Sequence, residues 1–410
     1  MSQIPGSRDD HGRAAQGRGP RRSSRGMWFR WLAAAGAVCL VVVSLTAYLT
    51  FRSVWDSIDR VKLSGLGPQP PKLASATNIL LIGSDSRAGP DRRFGAGVQG
   101  RRSDTIIILH IAPGRQGVVA LSIPRDSVVP VLSCPPGRET AGQLAAPGQV
   151  EQVNATYANG GPGCLWKTIE QTTHLHLDHF IELNFTGFEK VIDDVGGVSI
   201  CLPFAINDPL SRLRLSAGPH HIMGAEALAF WRARYIGDGS DLQRINRDQY
   251  LMASVLQGVD RADLMSSPAR VLAVVTDAAR SMTTDAGLGL QALLGIINSL
   301  RALPPGAVRF VELPTVAYPA NPNWVEWPAG DAALFRSIAH DRPLRQRRPL
   351  PTASGQPAQA ARAGRANAAE PPSPTPRPSA SGSPGSYRGI TGGTNVCHDG
   401  GAFAGPRGGT

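Results

Sequence analysis

The segment of this 410-residue chain best suited to chemistry is FWRARYIGDGSDLQRINRDQ, residues 230–249, which holds four arginines and three aspartates within seventeen positions. A guanidinium group is planar, keeps its charge, and binds phosphate through two parallel hydrogen bonds. A helix beginning at Asp241, as its N-cap, would place Arg244 and Asp248 on one face. Arg247 would lie beside Arg244. A charged helix face in isolation is most often only solvated, so a ligand site requires other charged segments to meet this one.

Three further charged clusters stand beside predicted strands. They are Asp85 and Arg87 after NILLIG, Arg101, Arg102 and Asp104 before TIIILHIA, and Arg125 and Asp126 after GVVALSIP. Because ligand crevices in α/β proteins form where strands end, we expect these clusters to converge on one edge of a sheet. Converging arginines suit a pyrophosphate, whereas aspartates not needed as arginine partners suit Mg²⁺. Asp85 and Asp104 are the candidate Mg²⁺ ligands.

The elements that position these residues read as a mixture of strands and helices. Apolar runs predict strands at NILLIG, DTIIILHIA, GVVALSIP, HFIELNF, GGVSICL and AVRFVELP, and the second and third should form a hairpin across PGRQG. Helical spacing begins at residue 241 and recurs over about 266–280 and 285–303. We predict an α/β fold, an α-β-α sandwich around a mixed sheet, preceded by one transmembrane helix.

The net charge of +11 lies in the two ends of the chain. Residues 1–30 carry +5 and residues 343–410 carry +6, so the middle is neutral and nucleic acid is not an expected partner. Residues 31–51 hold no charge. A helix of about 20 apolar residues is long enough to cross a bilayer, so this segment is a candidate transmembrane helix. The basic residues before this span place the N-terminus in the cytoplasm and the rest outside. A cleaved signal peptide is the alternative.

The predicted organisation has five parts. They are a disordered basic cytoplasmic tail (1–30), a transmembrane helix (31–51), a stalk (52–77), an extracytoplasmic catalytic domain (78–342) and a disordered tail rich in Pro, Ala, Ser and Gly (343–410).

Cysteines outside the span would face an oxidising exterior, where disulfides persist. Cys134 and Cys164 flank a loop rich in proline and glycine, and we predict that they pair. Pairing of Cys201 with Cys397 follows only by elimination.

Two other kinds of site were weighed. HLHLDH, residues 174–179, has metal-binding side chains, but a strand would send alternate residues to opposite faces. Ser84 and Ser86 lack the G-x-S-x-G context of a hydrolase nucleophile. Surface histidines and a site without a serine nucleophile are therefore expected.

The segments NILLIGSDSR, RRSDTIIIL, LSIPRD, VNATYANGG, DHFIELNFTGFEKVIDDVGGV and GAEALAFWRARYIGDGSDLQRINRDQ, in this order over about residues 78–260, resemble the signature segments of the LytR-CpsA-Psr family. The resemblance implies a membrane enzyme that takes a polyprenyl-pyrophosphate-linked glycopolymer, cleaves the pyrophosphate with magnesium, and transfers the phospho-glycan to peptidoglycan. Membrane lipid is an expected partner. A transcriptional attenuator, a label given to this family, is discounted because a domain outside the membrane cannot reach the chromosome.

The resemblance also assigns roles. The Mg²⁺ aspartates map onto Asp85 and Asp104, and catalytic roles map onto Arg125, Asp241 and Arg244. The expected pyrophosphate-binding residues are Arg87, Arg102, Arg125, Arg232, Arg234, Arg244 and Arg247.

The chain departs from the family pattern at two positions. Asp248 stands where the family usually has glutamine, and Gln152 stands where many members have lysine. Both changes lower the positive charge near the expected phosphate. A catalytically weak lipid- or glycan-binding module, or a pyrophosphatase of the envelope, is therefore the alternative function.

Overall fold

The computed structural model describes residues 24–63, 65–85, 91, 102–115, 117–134, 146–233, 236, 241–261, 268–301, 303–346, 386–387 and 389–391. The chain divides into two compact units, Met1–Asp56 and Ser57–Thr410. The first contains helix α1 (Ser24–Asp56), and its part Trp28–Asp56 is long and apolar enough to cross a membrane. The predicted span at residues 31–51 lies within this helix.

The second unit is built around one large sheet and several small ones. Its strands are β1 (Asp59–Val61), β2 (Thr77–Ser84), β3 (Ser103–Ile111), β4 (Val118–Ile123), β5 (Val128–Pro130), β6 (Val150–Gln152), β7 (His179–Asn184), β8 (Val198–Leu202), β9 (Ile206–Asp208), β10 (Leu213–Leu215), β11 (Gly218–Ile222), β12 (Met282–Asp285), β13 (Val308–Glu312), β14 (Val316–Tyr318), β15 (Asn321–Glu326), β16 (Arg345–Gln346), β17 (Ser386–Tyr387) and β18 (Gly389–Thr391). Its helices are α2 (Val153–Thr173), α3 (Phe185–Asp194), α4 (Gly224–Arg232), α5 (Asp241–Arg261), α6 (Pro268–Ser281), α7 (Leu290–Arg301) and α8 (Asp331–Ala339).

The large sheet has eight strands in the order β1-β12-β7-β2-β3-β4-β13-β18. Strand β2 pairs in parallel with β7 and antiparallel with β3, and β3 pairs antiparallel with β4. The sheet is therefore mixed, and the predicted hairpin of β3 and β4 is confirmed.

Helices cover both faces of the large sheet, because its central strands are apolar on both sides. Along β3, Ile106 and Ile108 pack into a core with α2 and α8, whereas Ile107 and Ile111 pack with α5 and α7. A third core lies between α3, α4, α5 and the β8 to β11 segment. The predicted α-β-α sandwich around a mixed sheet is confirmed.

Three features differ from the prediction. The predicted stalk contains β1, which pairs with β12 at the edge of the sheet, and the predicted disordered tail contains β18, which pairs with β13. Helix α2 was not predicted, and it contains Gly161 and Pro162, residue types that usually break helices. The helix continues across them with a kink at Gly161 (φ 72°).

Candidate functional site

The ends of four strands meet at one edge of the large sheet. Ser84, the last residue of β2, lies opposite Asn184 of β7 and Ser103 of β3. Beyond this point the amide of Asp85 donates a hydrogen bond to the carbonyl of Arg102 (2.9 Å). Strand β4, antiparallel to β3, ends at the same edge. The sheet therefore brings Asp85, at the end of β2, beside the charged residues that precede β3.

Two arginines from distant segments meet on the carboxylate of Asp104. Arg125 Nη1, just past β4, lies 2.7 Å from Asp104 Oδ1. Arg244 Nη2, in the first turn of α5, lies 3.3 Å from Asp104 Oδ2 and 3.5 Å from its carbonyl oxygen. All three side chains are at most about one quarter exposed. The predicted convergence of Asp104, Arg125 and Arg244 is confirmed by this geometry.

These residues line a small pocket that opens to solvent, hereafter the arginine pocket. Its lining comprises Asp104, Thr105, Ile106, Ile107, Ser122, Ile123, Arg125, Arg244, Ile245 and Asp248. Arg244 Nη1 is buried and finds no hydrogen-bond acceptor among the residues that the structure describes. A buried cationic donor without an acceptor is costly, so the arginine pocket is suited to an anion.

Asp248 forms part of the wall of the arginine pocket as a buried carboxyl group. Thr105 Oγ1 donates to its Oδ2 over 3.4 Å, and Arg247 Nη2 lies 4.0 Å from its Oδ1. Burial raises the pKa of Asp248 to about 6, although the positive charges of Arg247 and Arg244 act in the opposite direction. The carboxyl at this position therefore changes charge in the mildly acidic range.

Arg247 is not placed as the sequence analysis expected. Its side chain is 3% exposed, Nη2 donates to the carbonyl of Trp231 (3.3 Å), and the guanidinium carbon lies 6.0 Å from the centroid of the Phe230 ring. Arg247 is not among the residues that line the arginine pocket. Arg247 precedes Asp248 by one residue in α5, so its side chain points about 100° around the helix axis from that of Asp248. It therefore lies off the face that Arg244 and Asp248 share. Its predicted contact with pyrophosphate is therefore not supported by this placement.

Arg232 lies at the same edge of the sheet but outside the arginine pocket. It ends α4, and its guanidinium carbon is 5.0 Å from the centroid of the Phe185 ring, which directly follows β7. Arg102 is exposed at the start of β3. Arg87 and Arg234 lie outside the described residues, as does the side chain of Asp241, whose backbone begins α5. The roles of these five residues stay predictions.

A second group, which the sequence patterns did not reveal, holds Arg125 from its other side. Arg125 Nε lies 3.5 Å from Asp126 Oδ2, and Gln152 Nε2 donates to Asp126 Oδ1 over 2.9 Å. The amide of Asn154 also donates to the carbonyl of Arg125 (3.1 Å). Gln152 was singled out only as a departure from the family pattern, and the structure places it against the carboxylate beside Arg125.

The residues proposed for magnesium fit a hard cation in part. The premise that these aspartates are not needed as arginine partners is wrong for Asp104, because each of its carboxylate oxygens faces an arginine. An ionised carboxylate nevertheless has about four acceptor positions, so the two arginine contacts alone do not exclude a cation at Asp104. Magnesium needs only one or two protein carboxylates when phosphate supplies further oxygens. The donor set is therefore compatible with Mg²⁺.

The other candidate sites do not assemble. Ser84 is fully buried, with its hydroxyl 3.0 Å from that of Tyr157, which donates to Glu182 (2.6 Å). Ser86 lies outside the described residues. Within the part of the chain that the structure describes, no three metal-binding side chains form a cluster, and this includes the histidines of residues 174–179.

The predicted disulfide between Cys134 and Cys164 is confirmed, with Cα atoms 5.4 Å apart. Cys201 is also disulfide-bonded, and Cys397, its predicted partner, lies outside the described residues.

A model of the LytR_cpsA_psr family matches residues 54–330. The chain is 34% identical over 276 residues to the probable cell wall biosynthesis protein LcpB of Corynebacterium glutamicum, covering 64% of this chain and 61% of that protein. It is 27% identical over 268 residues to TagV of Bacillus subtilis, named a polyisoprenyl-teichoic acid–peptidoglycan teichoic acid transferase, covering 62% and 63% of the two chains. The matched region thus spans about three fifths of each relative.

One solved structure supports the fold. The LytR-Csp2A-Psr enzyme from Actinomyces oris superposes with a TM-score of 0.50 at 23% identity, over 69% of this chain and 96% of that chain.

Proposed function

This chain belongs to the LytR-CpsA-Psr family, and we propose that it is a membrane-anchored phosphotransferase of cell wall assembly. Its donor is a polyprenyl-pyrophosphate-linked glycopolymer, and its acceptor is a hydroxyl group of peptidoglycan. The names of the relatives support this assignment, because LcpB is described as a cell wall biosynthesis protein and TagV as a transferase of teichoic acid to peptidoglycan.

The observation that carries the proposal is the pair of arginines at Asp104. Two guanidinium groups share one carboxylate, and Arg244 Nη1 still lacks an acceptor among the described residues. A pyrophosphate brings at least two negative charges and many oxygens to such a site. It can take hydrogen bonds from both arginines without requiring either to leave Asp104, because each guanidinium group has five N–H donors.

This placement is compatible with a phosphoryl transfer. The oxygen of the acceptor hydroxyl attacks the phosphorus next to the glycan, its proton passes to solvent, and the bond from that phosphorus to the lipid-side phosphate oxygen breaks. The products are a phosphodiester between glycan and acceptor, and polyprenyl phosphate. Arg125 and Arg244 hold the phosphoryl oxygens in position and offset the charge of the leaving phosphate.

Magnesium belongs to the proposal as a cofactor held by Asp85 and Asp104. When bound, it would supply further neutralisation of phosphate charge.

The anchor and its orientation are also part of the proposal. Helix α1 is long enough to cross the membrane, and the excess of arginine before it favours a cytoplasmic N-terminus. The disulfide between Cys134 and Cys164 fits an oxidising exterior for the second unit.

The full chain in detergent micelles, incubated with a polyprenyl-pyrophosphate oligosaccharide, glycan strands and MgCl₂, tests the proposal. Release of polyprenyl phosphate is the readout. Arg125→Lys and Arg244→Lys keep the charge but lose the planar fork, so each should lower the release rate at least about tenfold. Arg214→Lys, at the exposed central position of β10, is the matched control and should retain the rate.

Two results would contradict the proposal. Equal release rates in the wild type and both pocket variants would show that the arginine pocket is not the reaction site. Donor binding without any release would instead support the alternative function, a lipid- or glycan-binding module that does not transfer its ligand.

A further inference from the structure

A small aromatic hairpin lies directly beside the charged segment at the end of β4. Strands β14 and β15 form this hairpin, from Val316 to Glu326. The amide of Val325 donates to the carbonyl of Asp126 (3.1 Å), and Val325 forms a parallel bridge with Ser127. Since Arg125 precedes Asp126, the hairpin is fixed through the backbone one residue away from an arginine of the proposed active site.

The hairpin carries two stacked aromatic rings. The rings of Tyr318 and Trp324 are 6.2 Å apart between centroids and 19° from parallel. Both side chains are partly exposed, and Val316 beside them is 48% exposed. Partly exposed rings of this kind offer apolar surface together with polar tips, the phenol hydroxyl and the indole N–H, which suits a ligand that is itself apolar on one face and polar at its rim.

The charge of the hairpin differs from that of the arginine pocket. In the sequence of residues 316–327, only Glu326 has a charged side chain. Asn321 and Asn323 supply neutral amide groups. None of these residues lines the arginine pocket. An anion has no counter-charge here, whereas a pyranose ring offers C–H faces to the aromatic rings and hydroxyl groups to the amides.

We propose that Tyr318 and Trp324 form a binding surface for the neutral sugar rings of the acceptor glycan strand. This inference rests on the proposed function. The donor is already held by charge through its pyrophosphate, whereas the acceptor brings only a hydroxyl group to the reaction and needs a binding surface of its own. The backbone link to Asp126 fixes the hairpin one residue away from Arg125 in the chain.

Direct binding of a soluble glycan strand without peptides, measured by calorimetry with the full chain in detergent micelles, tests the surface. Trp324→Ala and Tyr318→Ala should each weaken binding on the order of tenfold. Trp324→Leu keeps apolar volume but removes the flat ring, and it should lose as much. Phe204→Ala removes an exposed aromatic ring at the start of the segment between β8 and β9, and it should bind like the wild type.

The kinetic readout separates the acceptor from the donor. In the release assay, the same variants should raise the KM for the glycan strand about tenfold and leave the KM for the donor unchanged. A raised donor KM with unchanged acceptor KM would overturn the inference, because the surface would then serve the donor glycan. Unchanged strand binding in the folded Trp324→Leu variant would overturn it as well.

The outcomes also keep the two proposals apart. A wild-type chain that releases polyprenyl phosphate but binds no glycan strand overturns this inference and leaves the proposed function intact. Ring-dependent binding of the strand without any release supports the surface and counts against the proposed transfer.

Discussion

Replacing Asp248 by asparagine should stabilise the protein at neutral pH and leave its stability unchanged in acid. Burial raises the pKa of this carboxyl from 3.8 to about 6 in the folded protein. Between these two values the folded state holds the proton and the unfolded state has lost it, so stability falls as the pH rises through this window. Each pH unit is worth about 1.4 kcal/mol, and the shift of about two units therefore costs roughly 3 kcal/mol above pH 6.

Asparagine has nearly the same shape as a protonated aspartate and stays neutral, so the Asp248→Asn variant avoids this cost. Urea unfolding of both proteins in detergent micelles should show a midpoint higher by about 1 M for the variant at pH 7.5. At pH 4, close to the unfolded-state pKa of 3.8, the difference should shrink to less than about 1 kcal/mol. Glu226→Gln, on the exposed side of α4, is the matched control and should stay within about 0.5 kcal/mol of the wild type at both pH values.

Two outcomes would refute this reasoning. An Asp248→Asn variant that is less stable than the wild type at pH 7.5 would show that Arg247 and Arg244 more than offset the burial of the charge. A difference of the same size at pH 4 and pH 7.5 would show that the effect is packing and not ionisation.

Three further predictions concern the scaffold. Gly83→Ala should lower stability by about 1 to 3 kcal/mol, because the added Cβ would lie 2.9 Å from Trp231 Cζ2; thermal unfolding checks this, and an unchanged midpoint would contradict it. Replacing Cys134 and Cys164 together by serine should cost roughly 3 to 4 kcal/mol, because the disulfide joins residues 30 positions apart, and urea unfolding without reductant measures the loss. Burial lowers the pKa of His110, so the stability of the folded protein should fall as the pH drops below about 6.5. His110→Gln should reduce that fall when urea unfolding is measured as a function of pH. Equal acid sensitivity in the two proteins would count against this prediction.

The sequence predicted the central strands well, because their apolar runs are long and their charged ends are clear. Strands β2, β3, β4, β7, β8 and β13 lie at the predicted runs. Prediction failed where local signals and tertiary contacts disagree. The Asn-Gly-Gly-Pro-Gly stretch opposed a helix locally, yet α2 crosses it, because Tyr157 and Leu165 on either side are both buried in the same core.

The candidate site was predicted in its residue types and only partly in its geometry. Helical spacing from Asp241 correctly put Arg244 and Asp248 on a common face. The same spacing could not show that Arg247 turns inward against Trp231, because that depends on how α4 packs on α5.

By itself, the sequence determined the central strands of the large sheet, where a helix can cross a membrane, and which charged residues stand at strand ends. These properties follow from short-range patterns of polarity. Only the tertiary structure decided that Arg125 and Arg244 share the carboxylate of Asp104, that Gln152 contacts Asp126, and that an aromatic hairpin is fixed beside them. Those contacts join residues far apart in the chain, and their geometry is set by the packing of helices and loops on the sheet.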